Sequence, residues 1–70
     1  MIMKPIFEAV ENLDVNNQIQ IEQLNLFFST VDHIEKLWFM TEYVKYIKEK
    51  YTDQAEIAKK LINLCKFKFV

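Results

Sequence analysis

Apolar residues recur along this chain at intervals of three and four with polar residues between them, the pattern of helices that each bury one face. Ile6, Phe7, Val10 and Leu13 share one side of a first helix predicted over residues 5–13, with Glu8, Glu11 and Asn12 opposite. Pro5 suits the first turn, where its missing N–H costs nothing. Asp14 to Gln20 reads as a connector. Asn16-Asn17 is its strongest loop signal, because asparagine tolerates the left-handed conformation where glycine is absent. A second helix is predicted to begin near Gln20. Ile19 and Leu24 are spaced as a hydrophobic staple at its start, and Leu24, Phe27, Val31 and Ile34 form its seam.

The seam then shifts. Leu37, Met40, Val44, Ile47 and Tyr51 make a second stripe with the same spacing but rotated. One long helix with a wide apolar face could carry both stripes. A break between Ser29 and Asp32 accounts for the shift better, since Asp32 and Glu35 have the spacing of a capping box. Asp53 and Glu56 repeat that spacing and open a last helix predicted over residues 54–66. Its inner face is expected to be Ile57, Ala58, Leu61, Ile62 and Cys65, with Lys59, Lys60 and Lys66 outside or near the dipole's negative end. The tail over residues 66–70 alternates lysine and phenylalanine. It reads as a helix end that packs its phenylalanines home, with an extended docking arm as the alternative. Together these elements predict an all-α protein, a small bundle of three to four helices with no sheet, in a single helical domain over residues 1–70.

Composition narrows the function more than the fold. The chain has no glycine and one proline. Phosphate-cradling loops and strained catalytic elbows lean on glycine, so the usual backbone devices of enzyme sites are missing. A chain of 70 residues buries only about 60% of its unfolded surface. Cys65 is the one cysteine, so neither an internal disulfide nor a cysteine-built zinc site can help. A dense core and self-association remain as aids, and a homodimer is one expectation. The apolar fraction is 51%, with six Phe, three Tyr and one Trp. So small a core cannot hide every ring, and some are expected to meet another protein.

The net charge of −1 gives no field to hold nucleic acid, and all nine basic residues are lysine. Without arginine there is no bidentate fork for phosphate or guanine, which argues against direct nucleic-acid binding. Lys, Asn, Ile, Phe and Tyr dominate, as AT-rich coding would produce. The first fourteen residues do not have the build of a secretory signal. The longest apolar run, Leu37 to Met40, is far too short for a membrane span. A cytoplasmic protein with no membrane partner and a reduced Cys65 is expected.

Candidate chemistry is sparse. His33 is the one histidine, and its neighbour Asp32 does not face it within a helix. No second ligand stands at helical spacing, so neither a metal nor a cofactor is expected. Ser29 has no base near it in sequence, and Cys65 reads as a small buried hydrophobe. The expectation is a protein that is not an enzyme.

Trp38, Phe39, Tyr43, Tyr46 and Tyr51 form the most suggestive group. Four consecutive positions circle a helix, so Leu37 to Met40 cannot all face one core. Trp38, Phe39, Tyr43 and Tyr46 are therefore candidate partner-binding residues, unless this helix is surrounded on all sides within its own bundle. Base stacking on these rings would need a basic groove, and Glu42 and Glu49 interrupt Lys45, Lys48 and Lys50.

Residues 22–33, Glu-Gln-Leu-Asn-Leu-Phe-Phe-Ser-Thr-Val-Asp-His, resemble a stretch of the Hha/YmoA family of small all-α bacterial proteins, Glu-Leu-x-x-Phe-Tyr-Ser-Ala-Ala-Asp-His. Leu24, Phe27, Ser29, Asp32 and His33 match, and Phe28 stands for the tyrosine. The resemblance implies a modulator of gene silencing that joins the nucleoid protein H-NS, with Asp32 set to meet the partner's arginines. It does not extend beyond His33, and the family's arginine- and tyrosine-bearing first helix is missing. The broader expectation is a small regulator or inhibitor of a larger protein partner. Its brevity and AT-rich composition suit a phage or mobile-element product that blocks a host system, in the manner of an anti-CRISPR protein. A self-associating helical module is a further alternative.

Overall fold

The computed structural model describes residues 4–67. The protein is all-α, and the described residues form four helices and no strand: α1 Lys4–Glu11, α2 Gln18–Ser29, α3 His33–Lys50 and α4 Gln54–Leu64. The break between the two central helices is present at residues 30–32.

Among the described residues every turn is made without a positive φ. Asn16 and Asn17 do not adopt the left-handed conformation expected of them. The Asp14 carboxylate accepts the Asn16 N–H at 3.0 Å, and Asn17, extended at φ −96° and ψ 92°, caps α2 by accepting the Gln20 N–H at 3.1 Å. Asparagine is used here for its side-chain acceptor. One consequence is that α2 starts at Gln18. Ile19 then lies inside the helix and is 69% exposed, so it does not stand in the preceding position that a staple requires.

The second turn also departs from its expected chemistry. Asp32 is the residue before α3, but its side chain makes no capping bond. The turn is held from the α2 side, where the Thr30 hydroxyl and N–H both donate to the Phe27 carbonyl, at 2.7 and 3.1 Å. At the third turn the cap is made: the Asp53 carboxylate accepts the Ala55 N–H at 3.2 Å.

Phe7, Phe28, Phe39, Tyr43 and Phe67 form the centre of the core, with Val10, Leu13, Ile21, Ile47 and Leu64 around them. Phe39 lies 5.2 Å from Phe7 and 5.1 Å from Phe28 between ring centroids, and Phe28 lies 5.4 Å from Phe67. Tilted and edge-on contacts of this kind add about 0.5–1.5 kcal/mol each to plain burial. Phe67 is therefore packed home; Phe69 lies outside the described residues.

Of the predicted α3 stripe Leu37, Met40, Val44, Ile47 and Tyr51, Ile47 is buried and Met40 and Tyr51 pack against the core, but the centre of the buried face is Phe39 and Tyr43 rather than Leu37 and Val44. The rotation leaves Ile34 at 73% and Leu37 at 50% exposure. Phe39 and Tyr43 take the interior because the rings of Phe7 and Phe28 stand across from them, 5.2 and 5.1 Å from Phe39 between centroids. A similar correction applies to α4. Its inner side carries Ile57, Leu61 and Leu64, with Asn63 buried beside them, while Ala58, Ile62 and Cys65 are exposed.

Candidate binding surface

The five residues expected to meet a partner separate in the structure. Phe39 and Tyr43 are 1% and 0% exposed and lie in the core, so neither is available to another protein. Expecting them outside assumed that Leu37 and Met40 would take the core side of α3, whereas Phe39 and Tyr43 take it and α4 covers the C-terminal half: the Tyr43 hydroxyl donates to the Lys60 carbonyl at 2.8 Å. Tyr46 is half-buried and stacks on Phe7 with centroids 4.9 Å apart. Asp32 is exposed at the start of α3. Trp38 is 51% exposed.

Trp38 has apolar company that the sequence reading placed in the core. Ile34, Leu37 and Trp38 are spaced i, i+3 and i+4, within an arc of roughly 100° at 100° per residue, on the side of α3 away from Phe39, Tyr43 and Ile47. Leu26, near the end of α2, is 69% exposed as well. Beyond this face α3 turns polar, with Thr41 exposed and Lys45 paired to Glu42 at 3.6 Å. The face is thus an apolar patch with a tryptophan in it and charge at its edge, the composition of a contact surface with a polar rim.

A second constellation went unnoticed in the sequence. Glu11 is 2% exposed at the end of α1. Its Oε1 accepts from Lys50 Nζ at 2.8 Å and from the Tyr51 hydroxyl at 2.6 Å. Its backbone carbonyl accepts from Lys60 Nζ at 2.9 Å and from Asn63 Nδ2 at 3.2 Å, and Asn63 also reaches the Val10 carbonyl at 3.1 Å. These donors satisfy carbonyls that a helix end otherwise leaves open. Burial opposes ionisation of Glu11, but the Lys50 ammonium and the Tyr46 and Tyr51 hydroxyls outweigh it and hold the carboxyl below its ordinary range. The bond to Glu11 in turn pushes the Lys50 and Tyr51 pKa values up, and burial pushes Tyr43 up. Glu11 had read as an outward residue because it is charged, although Phe7 stands four residues before it on the same side of the helix. Its partners are 39 to 52 residues away, and no local pattern announces them.

The nucleophile candidates serve their own helices. Ser29 Oγ donates to the Leu26 carbonyl at 2.6 Å, and Cys65 Sγ to the Leu61 carbonyl at 3.7 Å. Cys65 is exposed, which corrects the expectation of a buried thiol: a three-residue step from Ile62 carries it outward with that side chain. Among the described residues no group of three or more His, Cys, Asp or Glu side chains could hold a metal ion, and no helix is long and apolar enough to cross a membrane. No family pattern, curated protein or solved structure matches this chain.

Proposed function

We propose that this chain is a non-catalytic binding module that regulates or inhibits a larger protein by docking the exposed face of α3 on it. The observation that carries this reading is the group Ile34, Leu37 and Trp38, three large apolar side chains at least half exposed on one helical face. Leaving that much hydrocarbon in water opposes folding, by roughly 25 cal/mol for every Å² not buried. A partner that covers it recovers this free energy, and tryptophan is among the usual anchors of such contacts. The test is affinity capture from the native host with the wild-type chain and with Leu37→Glu and Trp38→Ala, followed by mass spectrometry. One protein retained by the wild type and lost by both variants is the expected result. A retained set that is the same for all three chains refutes the reading. Sedimentation equilibrium at tens of micromolar separates the self-associating alternative: a dimer dissociated by Leu37→Glu would give the face to a second copy.

The resemblance of residues 22–33 supports a second reading, with Asp32 meeting arginines of an H-NS-type partner. What favours it is that the Asp32 carboxylate is exposed and makes no capping bond to its own helix. Pull-down on H-NS tests it. Retention that Asp32→Asn abolishes supports this reading, and failure of the wild type to be retained ends it.

A further inference from the structure

A second apolar surface lies on different elements and shares no residue with the α3 face. It is a trough of about 550 Å³ between α4 and the α1–α2 connector. Ala55, Ala58 and Ile62 line its α4 side at i, i+3 and i+7, and Leu13 and Val15 line it from the connector. Ile62 is 56% and Val15 44% exposed. The two alanines matter because small side chains leave a depression into which another backbone can come close, as happens where helices pack at 8–10 Å. From Ala55 to Asn63 the trough follows roughly two turns of α4 at 3.6 residues each and then reaches Lys66 in the turn beyond it. That length fits a helix better than a compact small molecule.

The charge around it is one-sided. Lys59 and Lys66 border the trough, the first on α4 and the second in the turn that follows it. Among the described residues neither forms an ion pair, whereas Lys50 is committed to Glu11 and Lys60 to the Glu11 carbonyl. The one acid at the trough, Asp14, already accepts the Asn16 N–H.

We infer that this trough is a docking site for an amphipathic helix of another protein, seated by apolar residues over Ala55, Ala58 and Ile62 and held in orientation by carboxylates on the flank that faces Lys59 and Lys66. Helix-in-groove recognition supplies the anchors, and charge complementarity sets the polarity and excludes basic competitors. A chain with this trough and the α3 face has two separate contact surfaces and can join two proteins.

The experiment uses the full chain, ¹⁵N-labelled, and two synthetic helical peptides. Both carry leucine at i, i+4 and i+7; one has glutamate along a single flank and the other lysine at the same positions. The glutamate peptide is expected to shift the amide resonances of Val15, Ala55, Ala58 and Ile62 first, and to bind about tenfold more tightly than the lysine peptide at low salt. The double variant Lys59→Glu/Lys66→Glu is expected to reverse that preference. Ala58→Arg fills the trough and is expected to abolish binding, with an unchanged helical circular dichroism spectrum showing that the fold persists. Equal affinity for both peptides overturns the inference, as do shifts confined to Ile34–Trp38 and the absence of shifts at millimolar peptide. Trough resonances that move with protein concentration alone would hand the site to a second copy and overturn it too.

Discussion

The two halves of α3 follow opposite rules. In the C-terminal half every large apolar side chain that can reach the interior does so, and Tyr43 and Ile47 are 0% exposed. In the N-terminal half Ile34, Leu37 and Trp38 stand in water on the same helix. The helix has one geometry throughout, so the difference comes from what surrounds it. The C-terminal half has α4 against it and the Glu11 network at its end. The apolar residues of the N-terminal half exceed what α2 and the aromatic core can cover. A small domain has more apolar surface than interior, and here the excess is concentrated on one face rather than scattered.

The largest effect expected from breaking this contrast is in the core. Tyr43→Ala should cost about 3–5 kcal/mol, through the cavity and the lost hydrogen bond to Lys60. Urea unfolding measures it, and in a domain this small the variant should be mostly unfolded near room temperature. Trp38→Ala, five residues earlier and larger in volume removed, should change stability by no more than about 0.5 kcal/mol. Comparable losses at the two sites would mean that Trp38 belongs to the core.

Glu11→Gln comes next, at about 2 kcal/mol, because it keeps the shape but weakens charge-assisted bonds from Lys50 and Tyr51. Its pH signature has a definite sign. The native carboxyl titrates below its ordinary value of 4.5, so its contribution is fully present above pH 4.5 and is lost as pH falls through the native value. Thermal midpoints measured from pH 7 to pH 2 should therefore fall at the acid end, and less steeply in Glu11→Gln. Tyr43 gives the opposite arm. Its native pKa is raised above 10.0, so its contribution holds below pH 10 and is lost as pH rises through the native value.

Smaller still is the contrast between two aspartates of like sequence context. Asp53→Ala should destabilise by about 1 kcal/mol, since its carboxylate caps α4. Asp32→Ala should be near neutral, since its side chain makes no capping bond. Paired chemical denaturation curves decide whether the two caps differ as described. The smallest effect on stability is expected from Leu37→Glu, which should leave the midpoint nearly unchanged and show itself only in partner capture.

The sequence carried the helices better than their orientations. The all-α class, a bundle of three to four helices, the favoured break between Ser29 and Asp32 and the Asp53 cap could be read locally, because propensity, spacing and capping act over a few residues. The facing of α3 could not. Both Leu37–Met40–Val44 and Phe39–Tyr43–Ile47 are valid helical stripes, and only the presence of Phe7, Phe28 and α4 across the core selects the second. Asn63 is buried and Cys65 exposed for the same reason: the open carbonyls of Val10 and Glu11 draw in a polar side chain, and a thiol has little to offer them. Of the residues expected to bind a partner, Trp38 and Asp32 lie on the surface and Phe39 and Tyr43 do not. The deciding information lay in contacts between distant segments.

The Glu11 network also bears on how the chain is made. At eight residues α1 is too short to persist as an isolated helix. The groups that hold its end, Lys50, Tyr51, Lys60 and Asn63, lie as many as 52 residues further along. During translation, then, α1 leaves the ribosome well before α4 and waits for it before it can settle. Chain growth and folding run in different orders here, with α1 docking only after α4 has emerged.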